Sequence, residues 1–374
     1  GYFMNRMSEY VRSKGREVIG WDELTNSSFL PDDAIILGWQ GYGQAALKAA
    51  EKGHRFIMTP ARIMYLIRYQ GPQWFEPLTY FGNNTLKDVY DYEPVQKDWK
   101  PEYADLLMGV QACMWTEFCN KPEDVDYLVF PRLAALAEVA WTQPEKKDWT
   151  SFLKGLDAYN EHLTAKGIVY ARSMYNIQHT VTPNNGMLEV KLECIRPDME
   201  IHYTTDGSTP TLQSPKYEGP IQVKETTDFT FRTFRPNGKA GDISRTRFIK
   251  SEYAPATTVT PSTKGLQAEW YEFKGNKCAD ITKAPLNGTY PIEKVMIPEK
   301  AKGNIGLVIK GFINVPKDDI YTFALLSDDG STLVIDGEQV IDNDGPHGPR
   351  EVIGQKALSK GYHPIEAVSY THLR

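Results

Sequence analysis

Apolar positions in the first 170 or so residues recur at helical spacing and then in short unbroken runs. Tyr2, Phe3, Met7, Tyr10 and Val11 share one helical face, and Gly15 follows as a stop. Residues 17–23, 34–40, 54–60 and 106–115 each predict a short buried strand, and helices are predicted over 44–52, 125–141 and 149–166. An aromatic stretch between the third and fourth strands reads as a long loop. Continuous apolar strands alternating with helices imply a parallel sheet covered on both faces.

The period then changes. Residues 188–194 and 228–234 alternate apolar and polar, and between them Tyr203-Thr-Thr-Asp-Gly-Ser-Thr-Pro210 runs from a strand into an Asp-Gly turn. Residues 171–252 therefore read as a small all-β sandwich. Residues 253–264 lie in a stretch rich in Thr, Pro, Ser and Ala and read as a linker. From 265 to 374 the β pattern returns, with strands at 306–312, 320–326 and 331–336. The Asp328-Asp-Gly330 turn could offer oxygen ligands to Ca²⁺, but a plain β-turn is the better reading, because Asp and Gly form turns in their own right.

Length fits this division, since 374 residues exceed one ordinary core. A net charge of −6 supplies no basic face, which argues against nucleic acid as a partner. Cys113, Cys119, Cys194 and Cys278 are scattered without paired spacing, so neither a zinc site nor a disulfide framework is predicted. No metal or cofactor is expected.

Candidate chemistry collects at strand ends. The first, second and fourth strands finish on Trp21-Asp22-Glu23, Trp39-Gln40 and Trp115-Thr116-Glu117. One such tryptophan is compatible with packing alone. Three of them, two with a carboxylate within two residues, point to a ligand pocket at the carboxyl ends of parallel strands, the functional face of a β/α barrel.

Gly-Trp-Asp-Glu (20–23), Leu-Gly-Trp-Gln (37–40), Met-Tyr-Leu (64–66), Gly-Val-Gln-Ala-Cys-Met-Trp-Thr-Glu (109–117) and Phe-Pro-Arg-Leu-Ala-Ala-Leu-Ala-Glu-Val-Ala-Trp (130–141) together carry a resemblance. In order and spacing they resemble the carboxyl half of the family-20 glycoside hydrolases, the β-hexosaminidases. Residues 201–221 are similar to the immunoglobulin-like module that follows chitobiase and hexosaminidase barrels. Residues from 265 onward resemble the protective-antigen-type β-sandwich. The implied fold is multidomain: the second half of a (β/α)8 TIM barrel over 1–170, then two all-β sandwich domains.

The resemblance implies retaining, substrate-assisted hydrolysis of terminal β-linked N-acetylhexosamine, an exception to the two-carboxylate scheme. Trp21, Trp39 and Trp115 would wall the acetamido group and the sugar ring. Tyr65 would donate to the acetamido oxygen, and Glu117 would accept from sugar hydroxyls. The family's acid pair, in a His-x-Gly-Gly-Asp-Glu motif, is expected upstream of Gly1. Asp22-Glu23 does not replace it, because Gly-Trp before it matches the next strand and no Gly-Gly precedes it.

Ile67 and Arg68 stand where the family often has Asp after Tyr-Leu, so Arg68 would change which sugar oxygens are recognised. Residues 369–374 have lost the alternation and are expected to lie outside the natural reading frame, with no closing strands present. The implied partner is a glycan ending in N-acetylglucosamine or N-acetylgalactosamine. The implied location is periplasmic, outer-membrane-associated or extracellular, with the chain alone inactive. A non-catalytic carbohydrate-binding or adhesion protein, using the protective-antigen-type domain, stays open as the alternative.

Overall fold

The computed structural model describes residues 1–27, 30–97, 99–259, 261–293 and 303–372. The chain divides into two compact units, Gly1–Tyr175 and Asn176–Arg374.

The first unit opens with α1 (Tyr2–Ser13), closed by Gly15 at φ +66°. Its apolar residues do not face a core, for Tyr2, Phe3, Met7 and Tyr10 are all exposed. Then come β1 (Ile19–Trp21), β2 (Ile35–Gly38), α2 (Ala45–Glu51) and β3 (Phe56–Met58). The expected aromatic loop holds β4 (Arg68–Tyr69), β5 (Tyr80–Asn83), α3 (Leu86–Asp91) and α4 (Pro101–Ala104), α3 being started by a Thr85/Asp88 capping box. β6 (Leu107–Val110) follows.

The sheet runs β1-β2-β3-β6, all parallel, with Trp21 beside Leu37, Gly38 beside Met58 and Met58 beside Val110. Its four carboxyl ends therefore lie in one row. Ala46, Ala49 and Ala50 of α2 pack on it closely enough that a Cβ on Gly38 would stand 2.5 Å from that of Ala46.

The helix expected over 125–141 is two helices, α5 (Pro122–Val129) and α6 (Arg132–Trp141). Pro131 separates them, because proline has no N–H for the helical ladder and its ring crowds the preceding turn. α7 (Trp149–Ala165) completes the unit.

Arg132, at the start of α6, is fully buried. Its Nη1 donates to the carbonyls of Arg68 (3.1 Å) and Asn84 (2.8 Å), and its Nη2 to those of Leu66 (2.9 Å) and Leu128 (2.6 Å).

The described residues of the second unit are mostly strand, with one 3-10 helix at Cys278–Lys283. β7 (Ile177–Asn184), β8 (Met187–Cys194) and β10 (Ile221–Val223) form one antiparallel sheet, and β9 (Glu200–Thr204), β11 (Thr227–Phe234) and β12 (Ala240–Phe248) another. Ile177, Val190, Leu192, Phe229 and Phe231 pack between them.

A six-stranded sheet follows in the order β14-β13-β15-β20-β17-β18, beside the pair β16-β19. Its strands are β13 (Leu266–Glu272), β14 (Leu286–Ile292), β15 (Ile305–Val315), β17 (Ser331–Ile335), β18 (Glu338–Asn343) and β20 (Gly361–Thr371), and the pair is β16 (Asp319–Ser327) with β19 (Arg350–Leu358). Leu333, Ile335, Ile341 and Leu358 fill the space with Phe323 and Val352.

Two expectations change here. The stretch 253–264 is tied down at its start, for Ala254 N–H donates to Ala357 O (3.0 Å) and Thr257 N–H to Tyr362 O (2.8 Å); Thr260 lies outside the described residues. The closing strand is present: β20 pairs with β15 as far as Thr371, and Val368 and Tyr370 alternate inward. Leu373 and Arg374 lie outside the described residues. Asp329 is a turn residue at φ +64°, and its Oδ2 already accepts from His372 N–H (2.9 Å). Among the described residues no cluster of acidic, His or Cys side chains could hold a metal ion, and no helix is long and apolar enough to cross a membrane.

Candidate functional site

The row of carboxyl ends places its side chains as follows. Trp21 closes β1, Trp39 follows β2, Tyr65 lies in the turn after β3, and Trp115 stands beyond β6. Their rings form a continuous series. Trp21 and Trp115 have centroids 6.1 Å apart, Trp115 and Tyr65 6.1 Å, and Tyr65 stacks on Trp39 at 6.0 Å with the planes only 15° apart. One edge of this wall is open, since Trp115 is 41% exposed.

The wall is braced from below. Leu66 N–H donates to Cys113 O and Cys113 N–H to Met64 O, both at 2.8 Å, which sets Tyr65 level with Cys113. Thr59 Oγ1 meets Cys113 Sγ at 3.1 Å. Burial pushes the Tyr65 hydroxyl up to about 12, with Cys113 adding to the rise and a hydrogen bond from Trp115 opposing it. At neutral pH Tyr65 is therefore a donor.

Asp22 is buried beside this wall. Its Oδ2 accepts the backbone N–H groups of Trp39 (2.9 Å) and Gln40 (3.1 Å), and its Oδ1 accepts Gln40 Nε2 (2.9 Å). Burial raises the Asp22 carboxyl above its ordinary value, and the Gln40 and Trp39 bonds act against that rise. Glu23 Oε2 accepts the indole N–H of Trp39 at 3.0 Å.

Of the residues expected from sequence, Trp21, Trp39, Tyr65 and Trp115 come together. Glu117 lies exposed two residues past Trp115, and among the described residues no hydrogen bond joins it to the aromatic series. Arg68 is corrected. It is buried, its Nε and Nη1 donate to Ala61 O (3.1 Å) and Phe81 O (2.5 Å), and it lies over the rings of Tyr80 and Phe81. A guanidinium so engaged braces β4 and β5 and is not available to sugar oxygens. Sequence reasoning missed the bracing by Asp22, Glu23 and Arg132. The signal for the first two was an acidic pair at a strand end, weighed as a pocket marker and as an acid catalyst but not as a brace.

The model of the glycosyl hydrolase family 20 catalytic domain matches residues 1–144. This segment belongs to glycosyl hydrolase family 20. Behind the family-20 segment, the Fn3-associated model matches residues 190–248 and the PA14 domain model residues 262–373.

The chain is similar to a beta-hexosaminidase of Porphyromonas gingivalis, 29% identical over 98% of this chain and 48% of the relative. The family-20 segment is similar to a beta-N-acetylhexosaminidase of Cellulomonas fimi, 33% identical over 38% of this chain and 29% of the relative. Among solved structures, a Vibrio harveyi family-20 exo-β-N-acetylglucosaminidase in complex with N-acetylglucosamine is 30% identical, covering 46% of this chain and 27% of that one at a TM-score of 0.40. The chain thus spans about half the length, or less, of these curated relatives.

Proposed function

We propose that the family-20 segment is part of a β-N-acetylhexosaminidase that removes terminal β-linked N-acetylhexosamine with participation of the substrate's own acetamido group. The observation carrying this reading is the continuous wall Trp21–Trp115–Tyr65–Trp39 at the carboxyl ends of a parallel sheet. Aromatic faces pack well against the apolar C–H face of a sugar and an acetamido methyl. A protonated Tyr65 hydroxyl in that wall would donate to the acetamido oxygen and hold it for attack on the anomeric carbon. Trp115 would cover the ring, and Glu117 on the exposed rim would accept from sugar hydroxyls.

The reaction also needs a proton donor for the leaving oxygen. On this reading neither Asp22 nor Glu23 is that acid, because both carboxylates are engaged by Trp39 and Gln40. The proton donor would be a carboxyl group other than these two. The parallel sheet would be the second half of a (β/α)8 barrel over 1–170, followed by sandwich domains over 171–252 and 265–374. The substrate would be a glycan ending in N-acetylglucosamine or N-acetylgalactosamine, met outside the cytoplasm.

The test is nitrophenol release from the β-N-acetylglucosaminide and β-N-acetylgalactosaminide by a protein carrying the whole catalytic domain. Trp115→Ala and Glu117→Ala should each lower kcat/KM about 10- to 100-fold, the loss of one buried contact or charged hydrogen bond. No release on either substrate overturns the reading.

One observation favours a second reading, in which the PA14 segment binds glycan. A groove of about 1370 Å³ on the six-stranded sheet carries Phe312 and Tyr362 among Gln267, Lys310, Asn314 and Glu366. Glycan binding by a protein with no hydrolysis would favour it.

A further inference from the structure

The aromatic series explains what the pocket wall is made of, but not what holds Trp39 in it. β1 and β2 end side by side, and the chain beyond β2 enters a loop whose backbone has no ladder partner on that edge. Two consecutive carboxylates act on this one residue. Asp22, 1% exposed, takes the backbone N–H of Trp39 and both N–H groups offered by Gln40. Glu23 takes the indole N–H of the same tryptophan.

We propose that Asp22 and Glu23 are a positioning pair for the sugar pocket, Asp22 fixing the backbone at Trp39 and Glu23 fixing the rotation of its indole so that the ring lies flat against Tyr65. The proposal rests on the reading of Trp39 and Tyr65 as pocket walls.

Two groups are needed because a fixed backbone leaves both side-chain torsions of a half-exposed tryptophan free to change rotamer. A hydrogen bond at the far edge of the indole removes that freedom. The 15° angle between Trp39 and Tyr65 depends on it. Tyr65 carries the hydroxyl that would meet the acetamido oxygen, so a turned Trp39 loosens the donor as well as the wall. The same geometry explains why an acidic pair at a strand end is not the catalytic acid. The lone pairs of Asp22 face three N–H donors, and Glu23 faces the rear edge of a wall residue.

Asp22→Asn points an amide N–H at those donors and can fail to fold, so the decisive experiment uses Glu23. In a protein carrying the whole catalytic domain, Glu23→Ala, Trp39→Phe and the double variant form a double-mutant cycle on the nitrophenyl β-N-acetylhexosaminides. Phenylalanine keeps an aromatic face but offers no N–H. Glu23→Ala alone should raise KM about three- to tenfold, the value of one hydrogen bond. The double variant should match Trp39→Phe within about twofold, and Glu23→Gln, whose amide oxygen still accepts, should stay near wild type.

An undiminished effect of Glu23→Ala in the Trp39→Phe background overturns the proposal and assigns Glu23 to the sugar itself. If wild type hydrolyses neither substrate, the enzyme reading fails and the positioning claim is judged separately on this chain by near-ultraviolet circular dichroism. Glu23→Ala should then lose, and Glu23→Gln keep, the aromatic signal that Trp39→Phe abolishes. An unchanged signal in Glu23→Ala overturns the positioning claim.

Discussion

Arg132 has no exposed surface, and the fork of its guanidinium reaches four backbone carbonyls from three stretches of chain. By joining those stretches through one buried fork, the arginine acts as a local fold organiser. Arg132→Met should destabilise the first unit by about 3–5 kcal/mol, the range for breaking a buried charged network. Urea denaturation followed by tryptophan fluorescence checks it. Arg132→Lys should recover only part of the loss, since an ammonium cannot reproduce the planar fork.

Tyr65 makes a second prediction at this scale. Its folded-state value of about 12 lies above the ordinary value of 10, because burial disfavours the phenolate. The associated stability is whole below pH 10 and is lost as pH rises through 12. In a tyrosine-labelled NMR titration the ring assigned by its loss in Tyr65→Phe should titrate well after the exposed tyrosines, and Tyr65→Phe should reduce the alkaline loss of stability.

At the scale of elements, the strand positions were legible because short apolar runs bounded by polar residues admit few alternatives. Trp21, Trp39 and Trp115 were legible for the same reason, since they end those runs. The bracing by Asp22 was not, because its partners lie 17 and 18 residues away and nothing local marks them. The helix break at Pro131 was legible in principle, but the apolar spacing on either side of it ran on. The short elements between 68 and 104 were hidden by aromatic residues that pack in turns as readily as in strands.

The sheet in the first unit ends at β1 and β6, and both carry exposed apolar side chains, Ile19 at 54% and Met108 at 51%. Unpaired edges and apolar patches favour association. The segment Gly1–Tyr175 expressed alone should self-associate and bind a hydrophobic dye, as read by light scattering and fluorescence. A cooperative thermal transition of a monomer would contradict this.

At the scale of the whole molecule, the sequence pattern suggested beads on a string, two sandwiches joined by a Thr/Pro-rich tether. The second unit is instead one body. The turn Asn184–Gly186 between β7 and β8 reaches β16, where Gly186 N–H approaches Asp319 Oδ1 at 3.4 Å, and Gln355 Nε2 donates to Val181 O at 3.2 Å. Asp319 is itself held by Lys317 at 2.6 Å, which keeps its carboxyl below the usual range.

A tether would leave two independent transitions; this contact couples them. Residues 176–374 should therefore unfold in a single calorimetric transition at neutral pH. Gly186 is the sensitive point, because at φ +75° a side chain is strained and its Cβ would stand 2.6 Å from the Tyr253 hydroxyl. Gly186→Ala should cost about 1–2 kcal/mol from backbone strain alone. Asp319→Ala should separate the transition into two, with the 190–248 module melting first because it buries the smaller core. Because the folded-state value of Asp319 is depressed, the coupling should be whole above the ordinary carboxylate value and be lost as pH falls below it and through the lower folded-state value. Wild type at low pH should then resemble Asp319→Ala at neutral pH, whereas a wild-type transition already split at pH 7 would return the linker to the role its composition suggested.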